Sequence, residues 1–262
     1  MAITEEQLEI HGDAGSIEAC IYQPESSGHW PGVIELTDIG GIRPHYREMA
    51  KRIAAQGFVV LVPNVFYRTS RVPVFEMKEG ATEEDRKKRF AELAAPLTPE
   101  AQEQDNATYV EFLSNLPEVD AGSIGVVGFC FTGGMAMRMA ALKPDQIKAA
   151  ASFHGGGLYT DAPTSPHRVL PRVKAELYFG HAVKDNSMPA EAIEKLEGAL
   201  ASWGGRYESE TYEGASHGWT AADSPVYNRP QAERAFKKLS DLFQRNLTAR
   251  SKESARTASL RW

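Results

Sequence analysis

The segment "VGFCFTGGM", residues Val127–Met135, places Cys130 between two phenylalanines inside a glycine-rich turn. The apolar run "SIGVVGF" at 123–129 precedes the cysteine and favours a buried strand, whereas the residues after it, as far as Leu142, favour a helix. A nucleophile on the sharp turn between a strand and a helix is exposed at the carboxyl edge of a parallel sheet, and the pattern G-x-nucleophile-x-G marks such a turn. Here Thr132 stands as one extra residue before the glycine pair. The segment therefore predicts an α/β fold with a reactive thiol at the sheet edge.

Other interpretations of this cysteine are weaker. A free cysteine at the end of a strand is often only a small buried apolar residue. A phosphate-binding loop needs G-x-x-x-x-G-K-[ST], but no lysine follows Gly134, and the dinucleotide pattern G-x-G-x-x-G is also absent. A redox pair needs C-x-x-C, and the position that a second cysteine would occupy is Gly133. We therefore favour the nucleophile.

The rest of the chain alternates between strand and helix patterns. Strands are predicted within 6–23, as a hairpin around 11–15, and at 32–37, 58–66, 147–153, 174–180 and 206–214; helices are predicted at 45–56, 83–94, 98–116, 189–203 and 231–245. This alternation predicts one α/β domain over residues 1–247, with a mostly parallel central sheet and helices on both faces. Residues 248–262 are polar and basic without apolar periodicity, so we predict a disordered tail there.

Composition narrows the function classes. The 262 residues carry a net charge of -6, which argues against a nucleic-acid partner, and no apolar run approaches the ~20 residues that span a bilayer. The first residues, "MAITEEQLEI", show no signal-peptide pattern, and Cys20 and Cys130 are the only cysteines. We therefore expect a cytoplasmic protein, without a metal or cofactor, that acts on a small molecule as a monomer or a homodimer.

Partners for the thiol follow it in a specific order. In hydrolases built on this type of turn, an acid and then a histidine come later in the chain. Asp185 is the only carboxylate in "HAVKDNSMP", after one predicted strand, and His217 lies in "YEGASHGW", after the last one. His154 in "SFHGGG" also follows a strand and could line the pocket or be structural, and His181 is predicted to be structural. The conjunction of the three residue types predicts nucleophilic catalysis more specifically than any one of them.

The sequence resembles the dienelactone hydrolase family of α/β-hydrolases over roughly residues 8–245. Four segments carry the resemblance: "PGVIELTDIGGIRPHYREMAKRIAAQGFVVLVPNVFYR", "VGFCFTGG", "YFGHAVKDNSMP" and "YEGASHGW". It implies an α/β-hydrolase fold and cofactor-free hydrolysis of a small ester or lactone. The implied site residues are a catalytic triad of Cys130, Asp185 and His217, and an oxyanion hole at the backbone N–H groups of Ile39 and Phe131.

The sequence departs from the family pattern around the expected substrate. The family keeps a carboxylate beside the thiol, usually glutamate, and Asp38 holds that position here. Dienelactone hydrolase uses two arginines for the substrate carboxylate; Arg89 or Arg86 could match one, but the position of the other is Ala221. A different small acyl substrate, cleaved by a carboxylesterase or thioesterase, therefore stays open, as does a homologue that binds ligands without turnover.

Overall fold

The computed structural model describes residues 1–76 and 81–248 and is built on one eight-stranded sheet with the strand order β1-β2-β4-β3-β5-β6-β7-β8. The first two strands pair as an antiparallel hairpin, β2 is also antiparallel to β4, and β3 to β8 are parallel to one another. The strands are β1 Ile3–Gly12, β2 Gly15–Pro24, β3 Trp30–Leu36, β4 Val59–Pro63, β5 Val119–Phe129, β6 Ile147–Phe153, β7 Glu176–Lys184 and β8 Tyr207–Ser216. All carboxyl ends of β3 to β8 therefore meet at one edge.

Helices cover both faces of this sheet. They are α1 Pro44–Ala54, α2 Glu83–Ala94, α3 Pro99–Ser114, α4 Gly133–Leu142, α5 Ala190–Trp203 and α6 Arg229–Leu247, with short 3₁₀ helices at Cys130–Thr132 and Pro166–Arg172. Apolar residues of α3, α4 and α5 pack in one core layer, and those of α1 and α6 pack in the other. The predicted fold class, a mostly parallel sheet between two helical layers, is confirmed.

Burial explains the strand sequences. Every residue of β4, "VVLVP", is buried, because a central parallel strand is covered by helices on both sides. The edge strand β1 is mostly exposed and correspondingly carries the charged residues Glu5, Glu6 and Glu9. Several boundaries differ from prediction by a few residues. Among them, β5 begins at Val119, before the apolar run at 123–129, because Val119 pairs with Trp30 ahead of a register shift in β3.

Two further findings concern the described residues. No helix among them has the length and apolar character that a membrane crossing requires. Within residues 1–76 and 81–248, no His, Cys, Asp or Glu side chains group in a way that could hold a metal ion. The predicted tail lies, apart from Thr248, outside the described residues.

Candidate active site

Cys130 lies on a strained turn between β5 and α4. Its φ is +58°, in the left-handed region that non-glycine residues seldom adopt. The turn is so tight that a Cβ atom on Gly128 would lie 2.3 Å from the carbonyl oxygen of Thr132, which explains the glycine. This geometry holds the thiol, which is partly exposed, at the carboxyl edge of the sheet.

Thr132, the extra residue of the turn, holds it together from inside. Its buried hydroxyl accepts a hydrogen bond from the Phe129 N–H at 2.9 Å and lies 2.9 Å from the carbonyl oxygen of Leu36, at the end of β3. The hydroxyl thus joins the turn to the neighbouring strand. Sequence reasoning noticed this threonine as a departure but not this role, since Leu36 lies far away in the chain.

The structure brings Cys130, His217 and Asp185 into one hydrogen-bonded row. Nε2 of His217 lies 3.0 Å from Sγ of Cys130, and its Nδ1 lies 2.7 Å from Oδ2 of Asp185. The backbone N–H of His217 donates to the Lys184 carbonyl at 3.0 Å, which joins the loops after β7 and β8. The three residues singled out from the sequence therefore meet in the order thiol, imidazole, carboxylate.

Ser187 completes the surroundings of the carboxylate. Both its N–H, at 2.8 Å, and its hydroxyl, at 2.6 Å, donate to Oδ1 of Asp185. This leaves Oδ2 for His217. Sequence reasoning missed Ser187, although Asp-x-Ser after a strand is a local pattern in which a carboxylate accepts the N–H two residues on.

The electrostatics of the row favour a charged imidazole. Burial would lower the pKa of His217, but its hydrogen bonds with Asp185 and Cys130 outweigh burial and raise this pKa to about 10. Burial would likewise raise the pKa of Asp185, yet hydrogen bonds from His217 and Ser187 lower it below its ordinary value. A positive imidazole 3.0 Å from the sulfur attracts negative charge on that sulfur.

Two backbone N–H groups are available near the thiol. Phe131 lies in the first turn of the 3₁₀ helix, where N–H groups have no acceptor within the helix. Within the described residues, the N–H of Ile39 in the loop after β3 donates to no protein acceptor. Phe131 also packs against Phe66 and Phe90, with ring centroids 6.3 and 6.2 Å away, and Phe90 is 38% exposed. The surroundings of the turn are thus strongly aromatic.

Asp38 is held by Arg43. The guanidinium binds both carboxylate oxygens, with Nη2 2.9 Å from Oδ2, and the Gly40 N–H donates to Oδ1 at 2.8 Å. The same guanidinium contacts Asp223, in the loop after β8, through Nε at 2.6 Å. Burial would raise the pKa of Asp38, but Arg43 lowers it below its ordinary value. The loop that contains Ile39 is therefore tied to the loop that follows His217, a connection that the sequence did not predict.

His154 is buried directly behind His217. The two ring centroids are 5.1 Å apart in an edge-to-face arrangement, and Nε2 of His154 lies 2.8 Å from the Thr220 hydroxyl. Of the two roles left open for this histidine, lining the pocket or structural, burial favours a position behind the site. His181 is also buried, in β7.

The two candidate arginines make no hydrogen bond or ion pair with Cys130, Asp185 or His217 in the described part of the chain. Arg89 donates to the Val74 carbonyl at 2.8 Å and to the Ser70 hydroxyl at 3.0 Å, whereas Arg86 is exposed. Ala221 is 1% exposed, so the second arginine position of the family lies in the interior.

Comparisons with known proteins agree with this architecture. The model of the dienelactone hydrolase family matches residues 17–247. A Synechocystis protein that carries the provisional name carboxymethylenebutenolidase is 31% identical, with 88% of this chain and 92% of the relative covered. The carboxymethylenebutenolidase of Rhodococcus opacus is 29% identical, with 88% and 87% covered.

A solved structure supports the fold independently. The crystal structure described as a provisional dienelactone hydrolase from Klebsiella pneumoniae superposes with a TM-score of 0.82 at 22% identity, over 93% of this chain and 99% of that one. Because the family match spans most of the sequence, the resemblance noted from the motifs is confirmed: the chain belongs to the dienelactone hydrolase family and is a hydrolase with the α/β-hydrolase fold.

Proposed function

We propose that this protein hydrolyses a small ester or lactone through a covalent thioester on Cys130, with His217 and Asp185 as its catalytic partners. The observation that carries the proposal is the row of contacts from Sγ through the imidazole to the buried carboxylate, at 3.0 and 2.7 Å. These are hydrogen-bond distances, and the geometry is that of a nucleophile with its base and the group that orients the base.

His217 deprotonates Cys130 or pairs with its anion, so that acylation uses an anionic sulfur beside a protonated imidazole. The sulfur attacks the carbonyl carbon, a C–S bond forms, and the carbonyl electrons move onto oxygen. The intermediate then collapses, the C–O bond breaks, and the leaving alkoxide takes the proton from Nε2 of His217. The products of this half-reaction are a thioester and an alcohol, which stays tethered when the substrate is a lactone.

Deacylation reverses the proton movement. Neutral His217 takes a proton from water as the oxygen attacks the thioester carbon, and the C–S bond breaks with the electron pair returning to sulfur. The pair of anionic sulfur and imidazolium that acylation uses is restored, and the carboxylic acid is released. Asp185 keeps Nδ1 protonated throughout and stabilises the imidazolium.

The oxyanion of both intermediates is assigned to the N–H groups of Ile39 and Phe131. Such preorganised donors stabilise the charge that develops on oxygen in the transition state, and losing one costs about 10²–10³ in kcat in a serine protease. Support comes from their positions, one in the loop after β3 and one directly after Cys130. The clamp of Asp38 by Arg43 holds the first of these loops in place.

The substrate class follows from the family and from the residues around the turn. Two relatives carry the name carboxymethylenebutenolidase, one of them provisionally, and we extend hydrolysis of a cyclic or open-chain ester to this chain. The aromatic rings of Phe90 and Phe131, which are at least partly exposed, favour an apolar part of the substrate beside the reacting carbonyl. A small ester or lactone with an apolar substituent is the class that fits these residues.

The proposal is tested with Cys130→Ala and the matched control Cys20→Ala. We expect Cys130→Ala to abolish hydrolysis of p-nitrophenyl acetate while circular dichroism stays unchanged, because only one sulfur on a turn is removed. Iodoacetamide should inactivate the wild type and Cys20→Ala alike, since Cys20 is buried in β2. Hydrolysis that persists at the wild-type rate in folded Cys130→Ala would exclude the thioester mechanism.

A further inference from the structure

The turn at residues 154–156, which begins with His154 after β6, contacts both loops that carry the reacting groups. The N–H of Gly156 donates to the Cys130 carbonyl at 3.2 Å, and the His154 side chain contacts Thr220, in the loop after His217, at 2.8 Å. The N–H of His154 also donates to the Gly180 carbonyl in β7 at 2.8 Å. One short turn thus connects the end of β5, β7 and the loop after β8.

The backbone of His154 is strained to make these contacts. Its φ is +41°, so, among the described residues, it and Cys130 are the non-glycine residues with positive φ. Such conformations are unfavourable and persist where the surroundings enforce them, which happens most often at functional sites. The strain places an imidazole, 1% exposed, under His217.

The imidazole of His154 is neutral and incompletely paired. Burial, together with the charge of nearby His217, lowers the pKa of His154 to about 3, and the carboxylates of Asp38 and Asp185 oppose this only weakly. Nδ1 is buried and has no hydrogen-bond partner among the described residues. The assignment that leaves no buried N–H unpaired puts the proton on Nε2, from which it is donated to the Thr220 hydroxyl.

We propose that His154 is a positioning residue that sets the distance between His217 and Cys130 by fixing the loop after β8 at Thr220. The inference rests on the proposed function, in which His217 exchanges protons with the sulfur and with substrate oxygens. His154 touches neither sulfur nor substrate. Its ring supports His217 at 5.1 Å and Trp219 at 5.1 Å, and its hydrogen bond fixes the residue that follows Trp219.

The test uses two pairs of variants. Thr220→Val and His154→Phe remove the hydrogen bond while keeping approximate shape, whereas Thr220→Ser and His154→Gln keep a polar group that can form it. Because a misplacement of about 1 Å can cost 10²-fold in rate, we expect a fall of roughly 10- to 100-fold in kcat for the first pair, with KM nearly unchanged. The second pair should stay within about 10-fold of the wild type.

The second readout is the pH dependence of Cys130 alkylation by iodoacetamide, which reports the sulfur–imidazole contact without needing turnover. The charged groups around His154 are His217, Asp185 and Asp38, and each of them acts on the pKa of the His154 imidazole. We expect alkylation at pH 7 to be slower in Thr220→Val and His154→Phe than in the wild type, because a displaced imidazolium attracts the reacting sulfur anion less.

The outcomes separate the two proposals. Folded Thr220→Val with wild-type kcat and an unchanged alkylation profile would overturn the role of His154, and this variant decides the matter if His154→Phe does not fold. Retained hydrolysis in Cys130→Ala would overturn the thioester mechanism instead, while the alkylation profiles would still report whether His154 positions His217.

Discussion

Two aspartates follow parallel strands at the same edge of the sheet, and their partners give them different roles. Asp185, after β7, accepts hydrogen bonds from Ser187 and lies 2.7 Å from Nδ1 of His217. Asp38, after β3, is bound on both oxygens by Arg43. Both have a pKa below the ordinary value, so both are anionic at neutral pH. The two aspartates share their negative charge and differ in their partner, which is an imidazole for Asp185 and a guanidinium for Asp38.

A third carboxyl lies in β3 itself, three residues before Asp38, and it has no hydrogen-bond partner among the described residues. Glu35 in β3 is fully buried, and neither of its oxygens has a hydrogen-bond partner within the described residues. Burial raises the pKa of Glu35 well above its ordinary value, so its neutral form is favoured in the folded protein. The three carboxyl groups thus differ in their surroundings: Asp185 contacts His217, Asp38 is bound by Arg43, and Glu35 has no partner among the described residues. Substituting each of them tests this distinction.

The largest effect is expected for Asp185→Asn. An amide at this position no longer fixes the proton on Nδ1 or stabilises the imidazolium, and the equivalent change in a serine triad lowers kcat about 10⁴-fold. We expect a loss of similar size in kcat for p-nitrophenyl acetate. Ser187→Ala is the matched control, because it removes one donor to Oδ1 but keeps the contact with His217, and it should cost far less.

A loss of only a few-fold in Asp185→Asn would mean that another carboxylate orients His217. Asp38 would then be examined first. The distinction between the two aspartates would then be wrong, because Asp38 would orient His217 although Arg43 binds it.

A smaller effect is expected for Asp38→Asn, a fall of roughly 10- to 100-fold in kcat. The change loosens the loop that holds the Ile39 N–H but leaves the contact between Asp185 and His217 in place. The control is Asp223→Asn, which removes the more exposed partner of the same guanidinium. Exposed ion pairs contribute up to ~1 kcal/mol, so this control should cost less than about 5-fold. Equal losses in Asp38→Asn and Asp185→Asn would show that both aspartates serve the proton path.

The sequence predicted one side of this comparison better than the other. Asp185 and His217 were identifiable because each lies in the loop after a predicted strand, and parallel strands bring their carboxyl ends to one edge. Arg43 and Asp223 were not, because the two residues are 180 positions apart and each lies in an ordinary polar loop. Glu35 was placed correctly in a buried strand, but no sequence rule says that a carboxyl there lacks a partner.

The fold was similarly predictable where apolar periodicity marks it. The helix at 189–203 was expected from its apolar face and the glycines that follow it, and the structure has it at Ala190–Trp203. The start of β5 was not expected, since "VDAG" at 119–122 forms no apolar run and Val119 and Asp120 join the strand by pairing with β3. Strand pairing between segments that are far apart in the chain produces no local sequence pattern from which the strand could be predicted.

Replacing the unpaired acid should stabilise the protein. Leaving a buried polar group without a partner costs about 1–3 kcal/mol, so Glu35→Met should raise the free energy of unfolding in urea by a similar amount at pH 7. Because the folded-state pKa is raised, the folded protein holds a proton that the unfolded chain releases above its ordinary value of 4.5. Stability from this group is therefore lost as pH rises from 4.5 through the folded-state pKa.

The control for this prediction is Glu35→Gln, which removes the titration but keeps a polar group. Between pH 5.5 and 8, the free energy of unfolding should fall less in both variants than in the wild type. At pH 5.5, only Glu35→Met should be clearly more stable than the wild type. A wild type whose pH dependence matches that of Glu35→Gln would mean that Glu35 is not held neutral.

The smallest effect is expected for the preference between a neutral substrate and one that carries a carboxylate. This prediction extends the comparison from the protein's own carboxylates to that of a substrate. A buried substrate carboxylate needs charge-assisted hydrogen bonds, which arginine supplies in bidentate form. Arg43 is occupied by Asp38 and Asp223, and Arg68 by Asp105. Arg89 is hydrogen-bonded to Val74, and Ala221 is too buried for an arginine to be introduced there as a test.

We therefore expect kcat/KM for a neutral short-chain ester to equal or exceed that for its carboxylate-bearing counterpart. Arg86→Met should change the ratio by less than about 5-fold, because an exposed guanidinium contributes up to ~1 kcal/mol to an ion pair. Measuring both substrates with the wild type, Arg86→Met and Arg89→Met tests this directly. A strong preference of the wild type for the anion, lost in Arg89→Met, would show that Arg89 leaves Val74 to bind the substrate. A preference that persists in both variants would mean instead that the substrate displaces Asp38 from Arg43, so that the clamped aspartate is released during the reaction.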